Sequence, residues 1–366
     1  MRIELSPRQT VWPIFRVLAP LWAIGMAGLL ACVVILALGQ SPMAAYEVYI
    51  LGPLYDSWAL QEIAIKMTPL VLIATGLIFC FRANLWNIGA EGQFTFGAIC
   101  GSILPLLTQG MDAGPWVMVL SLIMGIIGGA LFAMIPAYLR ARLGVSEILS
   151  SLMLVYVAQL FLDWLVRGPW RDPKGFNFPQ TVNFDAGSLL PILSQDGRLH
   201  AGVILAGAAV LISLFVLSLT LFGFGVKVIG SAPKAARFAG FSPSKTVFAV
   251  FMISGALSGL AGIVEVLGHI GQLKPTISTN AGFTAITVAY LGRLSPLGVV
   301  FGAFIVALTT IGGENAQIVL KLPLDLTTCF QGLLLLCVLV ADALTSYKIR
   351  FLRDKPNSKD TQEENG

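Results

Sequence analysis

Long runs without a charged residue alternate with short charged segments along almost the whole chain. Ten such runs can be read from the sequence, at 17–46, 67–81, 92–111, 113–139, 148–162, 199–226, 246–264, 275–292, 294–313 and 326–341. Most of them approach or exceed the roughly 20 apolar residues with which an α-helix crosses a bilayer. The pattern predicts an all-α, polytopic integral membrane helix bundle of about ten transmembrane helices, built as a single domain over 17–347.

Composition agrees with a membrane protein and indicates its orientation. The chain is 56% hydrophobic and only 11% charged, whereas soluble domains carry about 25% charged residues. With both ends inside, the cytoplasmic segments would hold 16 of the 23 Lys and Arg residues, as the positive-inside rule requires. We therefore expect a multi-pass protein of the cell inner (plasma) membrane, with a cytoplasmic lead at 1–16 and a disordered cytoplasmic tail at 348–366.

The segment 223–246, GFGVKVIGSAPKAARFAGFSPSKT, is a basic loop without acidic residues between two apolar runs. It contains a short amphipathic helix candidate that should face the cytoplasm. The residues assigned to this helix are Ser231 as its cap, Pro233 in its first turn, Lys234, Ala235, Ala236, Arg237 and Phe238 in its body, and Gly240 at its end. So short a helix is not stable in isolation, and exposed Phe238 indicates a partner protein.

Three segments carry a family resemblance. The run APKAARFAG resembles the coupling loop of permease subunits of ABC importers, in the branch that handles branched-chain amino acids, ribose-type sugars and nucleosides. The segment NLWNIGAEGQFTFGA (84–98) is similar to nucleoside and simple-sugar permeases more narrowly, and FTAITVAYLGRLSPLGVVFGA (283–303) extends the likeness over most of the chain. The alternative for the loop is an ordinary basic segment that serves topology alone.

The resemblance implies the permease subunit of a type II-like ABC importer. Its solute would be a nucleoside first, a simple sugar such as ribose second, and a branched-chain amino acid third. Implied partners are an ABC ATPase subunit that binds ATP and receives the 231–241 helix, a second homologous permease or a copy of this chain, and an extracytoplasmic substrate-binding protein. The binding protein would meet the long outer loop at 167–198, for which the alternative is a solvated loop without a partner.

A polar, glycine-containing decapeptide follows Arg82 at the predicted cytoplasmic boundary. It carries Asn84, Asn87, Glu91 and Gln93 immediately before an apolar run. Irregular polar backbone at that depth is tolerated only beside protein or a water-filled cavity, so we place it at the inner mouth of a translocation pathway. A tight turn with Glu91 as a favourable charge at a helix N-terminus is the compatible alternative.

Other candidate polar residues lie toward the outer side. Thr276 and Asn280 bound the stretch TISTN, whose hydrogen-bonding groups would suit a ribose or a base, and we add both to the candidate pathway. Glu265, His269 and Lys274 lie close together at a helix end, where they would act in transport or simply face interfacial water. The segment 312–315 is expected to form an outer turn.

Glycines in two of the predicted helices indicate close helix packing. Gly125, Gly128 and Gly129 lie in the fourth helix, and Gly255, Gly259 and Gly262 lie in the seventh. Small residues allow the backbones of membrane helices to approach each other.

The sequence gives this chain no energy source of its own. GFSPSKT lacks the phosphate-loop glycines, because Ser244 precedes Lys245 and position 239 is Ala. We therefore expect a transport subunit that is not an enzyme, with ATP hydrolysed on another subunit. An ion-coupled secondary carrier is the alternative, although span centres nearly free of charge disfavour it, and a non-transport scaffold comes last.

No cofactor, metal or nucleic acid is expected. The cysteines lie in apolar runs without paired spacing, at Cys32, Cys80, Cys100, Cys329 and Cys337. The basic isoelectric point reflects charges that set topology.

Overall fold

The computed structural model describes residues 2–7, 13–111, 114–194, 197–277 and 280–352. In these residues each of the ten charge-free runs contains a helix, and eight helices are long and apolar enough to cross a membrane. The predicted polytopic bundle is therefore confirmed. The helices are α1 (Pro13–Ala37), α2 (Pro42–Tyr46), α3 (Gly52–Tyr55), α4 (Ser57–Arg82), α5 (Ala90–Leu107), α6 (Trp116–Leu143), α7 (Glu147–Arg167), α8 (Gly202–Leu219), α9 (Leu221–Ser231), α10 (Pro233–Phe238), α11 (Pro243–Glu265), α12 (Ala281–Leu291), α13 (Pro296–Val319) and α14 (Asp325–Ser346).

Helix α12 is much shorter than the run that predicted it. It has 11 residues, which is a rise of about 16 Å and half of a bilayer core. A full crossing over 275–292 was therefore wrong. The backbone before α12 is irregular because it pairs with the outer loop: the N–H of Thr181 donates to the carbonyl of Leu273 at 3.0 Å, and the N–H of Leu273 donates to the hydroxyl of Thr181 at 3.0 Å.

The centre of the bundle is α11, which packs against α4, α5 and α6. The packing is close because glycines face each other. A Cβ atom added to Gly259 would meet the backbone of Gly125 and Gly129, and one added to Gly97 on α5 would meet the backbone of Gly259. The predicted close approach of these helices is confirmed.

The expected outer turn at 312–315 was wrong, because α13 continues to Val319. Gly312 packs on the backbone of Tyr49, and Gly313 packs on the side chain of Thr327. Glycine is used here for close packing inside a helix, so Glu314 belongs to a spanning helix.

The two ends of the described chain form an antiparallel pair of strands, β1 (Arg2–Pro7) and β2 (Tyr347–Leu352). This pairing places the beginning and the end of the bundle on one side, as an even number of crossings requires. Strand β2 covers 347–352, so 348–352 are paired where a disordered tail was expected, and their alternating apolar and basic residues suit a strand. Residues 353–366 of that tail lie outside the described residues.

Candidate coupling site and translocation pathway

Asn87 and Gln93 form a closed pair at the start of α5. The Asn87 amide donates to Gln93 Oε1 at 2.9 Å, and the Gln93 amide donates to Asn87 Oδ1 at 3.0 Å. The Asn87 amide also donates to the hydroxyl of Ser254 on α11 at 3.0 Å. The Asn87 and Gln93 side chains are buried, so these bonds fix the connection between α4 and α5 against the central helix.

Glu91 joins α5 to the N-terminus of α12. Its carboxylate accepts a hydrogen bond from the backbone N–H of Gly282, in the first turn of α12. Asn280 precedes this helix in a left-handed conformation (φ 60°) and its side chain makes no capping bond. The Glu91 carboxylate therefore does the work of an N-cap side chain from another helix, and its charge suits the positive end of the helix dipole.

The structure separates the six candidate pathway residues into two groups. Asn87, Glu91 and Gln93 are buried at the start of α5, and Asn280 is exposed at the start of α12, two residues before the partner of Glu91. Asn84, with φ 56°, and Thr276 are also exposed, and among the described residues neither hydrogen-bonds to this buried group. Ser278 and Thr279, also in TISTN, lie outside the described residues.

The predicted coupling helix is present as α10, and most of its surface is free. Phe238 is 94% exposed, whereas Ala236 is fully buried and holds the helix to its surroundings. Pro233 lies in the first turn, as predicted. Gly240 ends the helix with φ +85°, and the N–H of Phe241 donates to the carbonyl of Ala236 at 3.0 Å. These contacts form a Schellman ending, which glycine favours.

The predicted cap at Ser231 was wrong. Ser231 is the last residue of α9, and its hydroxyl donates back to the carbonyl of Lys227 at 3.0 Å. Ala232 occupies the N-cap position of α10 and makes no side-chain cap. A second helix, α9, extends into the loop at 223–246, where one helix was expected. It begins inside the run 199–226 because Thr220 ends α8 and caps α9 by accepting from the N–H of Gly223 at 3.1 Å.

A continuous packing path leads from α10 to the segment that follows α12. Helix α9 precedes α10, and its Gly230 packs on the carbonyl of Arg82 at the end of α4. The Arg82 guanidinium donates through Nε to the carbonyl of Leu294, beyond α12, at 2.9 Å. The sequence marked Arg82 only as a topological charge. No pattern in the sequence indicated the bond to Leu294, because the two residues are 212 positions apart.

The outer loop is pinned to the bundle. The N–H of Phe184 donates to the carbonyl of Gly271 at 2.9 Å, and the N–H of Leu190 donates to the carbonyl of Leu267 at 2.9 Å. The carboxylate of Asp185 accepts from the N–H of Gly110 at 2.8 Å. Phe176 in this loop is 94% exposed, so the pinned loop presents an exposed aromatic side chain.

His200 is a buried, neutral imidazole where the outer loop enters α8. Its Nδ1 accepts from the N–H of Gly202 at 3.1 Å, so the proton of the neutral ring belongs on Nε2. Burial lowers the pKa of His200 from 6.5 to about 4, with a further lowering from the nearby His269.

The described part of the chain contains no group of three or more His, Cys, Asp or Glu side chains that could hold a metal ion.

Comparison with known proteins decides the family. Residues 59–339 match the model of the family described as the branched-chain amino acid transport system / permease component. This chain belongs to that permease family. A glucose ABC transporter permease of Haloferax volcanii is 34% identical over 97% of this permease and 95% of its own length. A nucleoside ABC transporter permease of Lactococcus lactis is 30% identical over 82% of this permease and 84% of its own length.

A third relative is a guanosine ABC transporter permease of Bacillus subtilis, 29% identical over 93% of this permease and 97% of its own length. No solved structure matches the permease. The resemblance drawn from the three sequence segments is confirmed at the level of the family, and these relatives are transport subunits rather than enzymes.

Proposed function

We propose that this permease forms the membrane pathway of an ATP-driven importer for a nucleoside or a simple sugar. Support for the solute class comes from the glucose, nucleoside and guanosine permeases among its relatives. Such solutes are neutral and rich in hydroxyl groups. Uncharged amide and hydroxyl side chains can therefore bind them through hydrogen bonds alone. The exposed candidates Asn84, Thr276 and Asn280 carry groups of this type.

The observation that carries the proposal is the exposure of Phe238 on α10. A helix of six residues cannot hold itself together without packing, and burial of Ala236 together with the Schellman ending keeps it formed while Phe238 stays free. A separate ATPase subunit binds α10 in a surface groove. Many proteins recognise an amphipathic helix in this way, with its apolar face in the groove. Exposed Lys234 and Arg237 beside Phe238 favour an acidic rim on that groove.

Movement of the ATPase reaches the pathway through the packing path described above. A displacement of α10 moves α9, and α9 presses on Arg82 through Gly230. Arg82 is bonded to the segment that follows α12, while Glu91 is bonded to the start of α12. The C-terminal end of this half-length helix is therefore tied to the element on which the ATPase acts, and its N-terminal end is tied to α5.

Two further partners complete the importer. A second permease, identical or homologous, supplies the other wall of the pathway, because one subunit forms a wall on one side only. An extracytoplasmic binding protein delivers the solute to the outer loop, where Phe176 and Phe178 are exposed on a loop pinned by backbone hydrogen bonds. The whole lies in the plasma membrane with both termini cytoplasmic, in line with the distribution of Lys and Arg.

The test is uptake of radiolabelled guanosine and glucose by cells that lack the chromosomal gene and carry it on a plasmid. We expect uptake of one of the two solutes that persists when a protonophore and a sodium ionophore dissipate the ion gradients, and that stops when ATP is depleted. Uptake that stops with the ion gradients while ATP remains would establish the ion-coupled carrier instead. Uptake of neither solute would contradict the proposed solute class.

A further inference from the structure

The two halves of α4 differ in exposure. From Thr68 to Phe81 every residue is buried, whereas Glu62 and Lys66, in the outer half, are part-exposed. They stand four residues apart, so they share one face of the helix. Lys66 on this face lies against α13, and α4 also packs against α11.

Charged side chains from three helices meet there. The Lys66 ammonium lies 3.8 Å from Glu314 on α13, and these side chains are 34% and 45% exposed. Glu265 on α11 interacts electrostatically with His269, Lys66 and Glu62. We name these residues the outer charge cluster: Glu62, Lys66, Glu265, His269 and Glu314.

The position of the cluster excludes a lipid environment. Lys66 stands nine residues beyond the first residue of α4, and Glu314 stands five residues before the last residue of α13. At the rise of an α-helix these positions are about 14 Å and about 8 Å along the helices from their outer ends. Part-exposed charges at such depth face a water-filled cavity or another protein, because hydrocarbon does not solvate them.

Unpartnered polar atoms beside the cluster favour water over a dry protein contact. Among the described residues, Gln61 Oε1, His269 Nδ1 and His200 Nε2 are buried without a hydrogen-bond partner. His200 is only 1% exposed, it packs on Gly268, next to His269, and its Nδ1 is already bonded to Gly202. Buried polar atoms of this kind are normally satisfied by water or by a polar ligand.

We propose that the outer charge cluster lines the outer half of the aqueous solute pathway and acts there as an electrostatic filter against anionic solutes. Its Glu62 and Glu314 carboxylates, both part-exposed, outnumber the single Lys66 cation, so phosphate esters are repelled. Carboxylates accept hydrogen bonds from paired hydroxyl groups, so neutral polyhydroxylated solutes pass. The inference rests on the proposed permease function. It adds a selectivity against anionic solutes that does not depend on the coupling helix α10.

The test measures the access of water to the cluster and the local charge there, and it needs no uptake assay. Glu314→Cys is purified as the full chain with its partner subunits and treated with cationic and anionic methanethiosulfonates, with each rate normalised to that of a small free thiol. The wild-type chain with its native cysteines gives the background. Leu211→Cys, at an apolar position of α8 that is 64% exposed, is the matched control for a surface in contact with lipid. Asn315→Cys, which leaves every member of the cluster in place, is treated in the same way and serves for both readings if Glu314→Cys does not fold.

We expect the Glu314→Cys thiol to react at least about tenfold faster than the Leu211→Cys thiol. The Asn315→Cys thiol, which leaves Glu314 in place, should react faster with the cationic than with the anionic reagent. Adding Lys66→Gln should raise the ratio of cationic to anionic rates by about threefold or more, and adding Glu62→Gln should lower it, because a pathway lined by one sign of charge concentrates the opposite ion. A Cys at 314 no more reactive than one at 211 would overturn the aqueous lining. A ratio unchanged by both substitutions would overturn the filter. Neither result depends on whether guanosine or glucose is the solute.

Discussion

The carboxylate of Glu91 accepts a hydrogen bond from the backbone N–H of Gly282, 191 residues further along the chain. One side chain thus lies in the first turn of α5 and also binds the first turn of α12. Because α12 spans only half of a bilayer core, its N-terminal N–H groups have no bulk water to satisfy them. The bond explains how a half-length helix can begin inside the bundle.

Replacing Glu91 separates its role as hydrogen-bond acceptor from its charge. Glu91→Ala leaves the buried N–H of Gly282 without a partner, which should cost about 1–3 kcal/mol and impair uptake. Glu91→Gln retains an acceptor oxygen and should cost less. Thermal unfolding in detergent and retention of the ATPase subunit should both be measured. Normal uptake and an unchanged unfolding midpoint in Glu91→Ala would return Glu91 to the role of a simple turn residue.

Gly230 tests the path from α9 to α4. A Cβ atom at this position would collide with the carbonyl of Arg82, whereas one at Gly207 on α8 would meet nothing within 4 Å. Gly230→Val should therefore reduce ATP-driven uptake while the ATPase remains bound, and Gly207→Val should leave uptake unchanged. The readout is solute uptake per mole of ATP hydrolysed. Equal ratios in the two variants would show that α9 does not transmit the movement.

Gly259 tests the packing of the central helix. Gly259→Ala forces α11 away from Gly125 and Gly129 on α6, and overpacking of this kind costs about 1–3 kcal/mol. Gly28→Ala, on α1, meets nothing within 4 Å and should be neutral or slightly stabilising through helix propensity. The temperature at which half of the protein precipitates from detergent should fall only for Gly259→Ala.

His200 makes stability depend on pH. Its folded-state pKa is lowered from 6.5 to about 4, so between these values the unfolded chain binds a proton that the folded chain does not. The contribution of neutral His200 to the free energy of unfolding is therefore fully present above pH 6.5 and is lost as the pH falls toward 4. His200→Gln should show a shallower fall of the unfolding midpoint over this range than the wild type. Parallel curves for the two proteins would contradict a buried neutral His200.

The sequence was sufficient for features that depend on local pattern. Charge-free runs predicted the helices because lipid requires every backbone group to be bonded within its helix. Pro233 marked the first turn of α10 because its ring fixes φ near the helical value. Gly240 marked the end because glycine readily adopts a positive φ, as it does here. Glycines in α6 and α11 predicted a close approach that the structure contains.

The features that the sequence could not predict depend on contacts between distant segments. The bond from Arg82 to Leu294 and the bond from Glu91 to Gly282 join residues that no periodic pattern relates. The length of α12 was missed because PTISTN (275–280) carries no charge and so lengthened the run. Leu273, just before it, is tied to the outer loop. Ser231 was misplaced because a serine hydroxyl can bond back to a helix as readily as cap one, and here it does so.

The central claim is that an ATPase on another subunit works this permease through α10. The most direct measurement is the vanadate-sensitive ATP hydrolysis that remains with affinity-purified permease from membranes of its native host. Phe238→Asp is compared with Phe176→Asp, because the two phenylalanines are both 94% exposed and one precedes while the other follows the candidate spanning helix α8. We expect wild type and Phe176→Asp to retain equal activity and Phe238→Asp to lose about tenfold or more, a change of about 1.4 kcal/mol or more in binding. Full ATP hydrolysis with Phe238→Asp would contradict the claim.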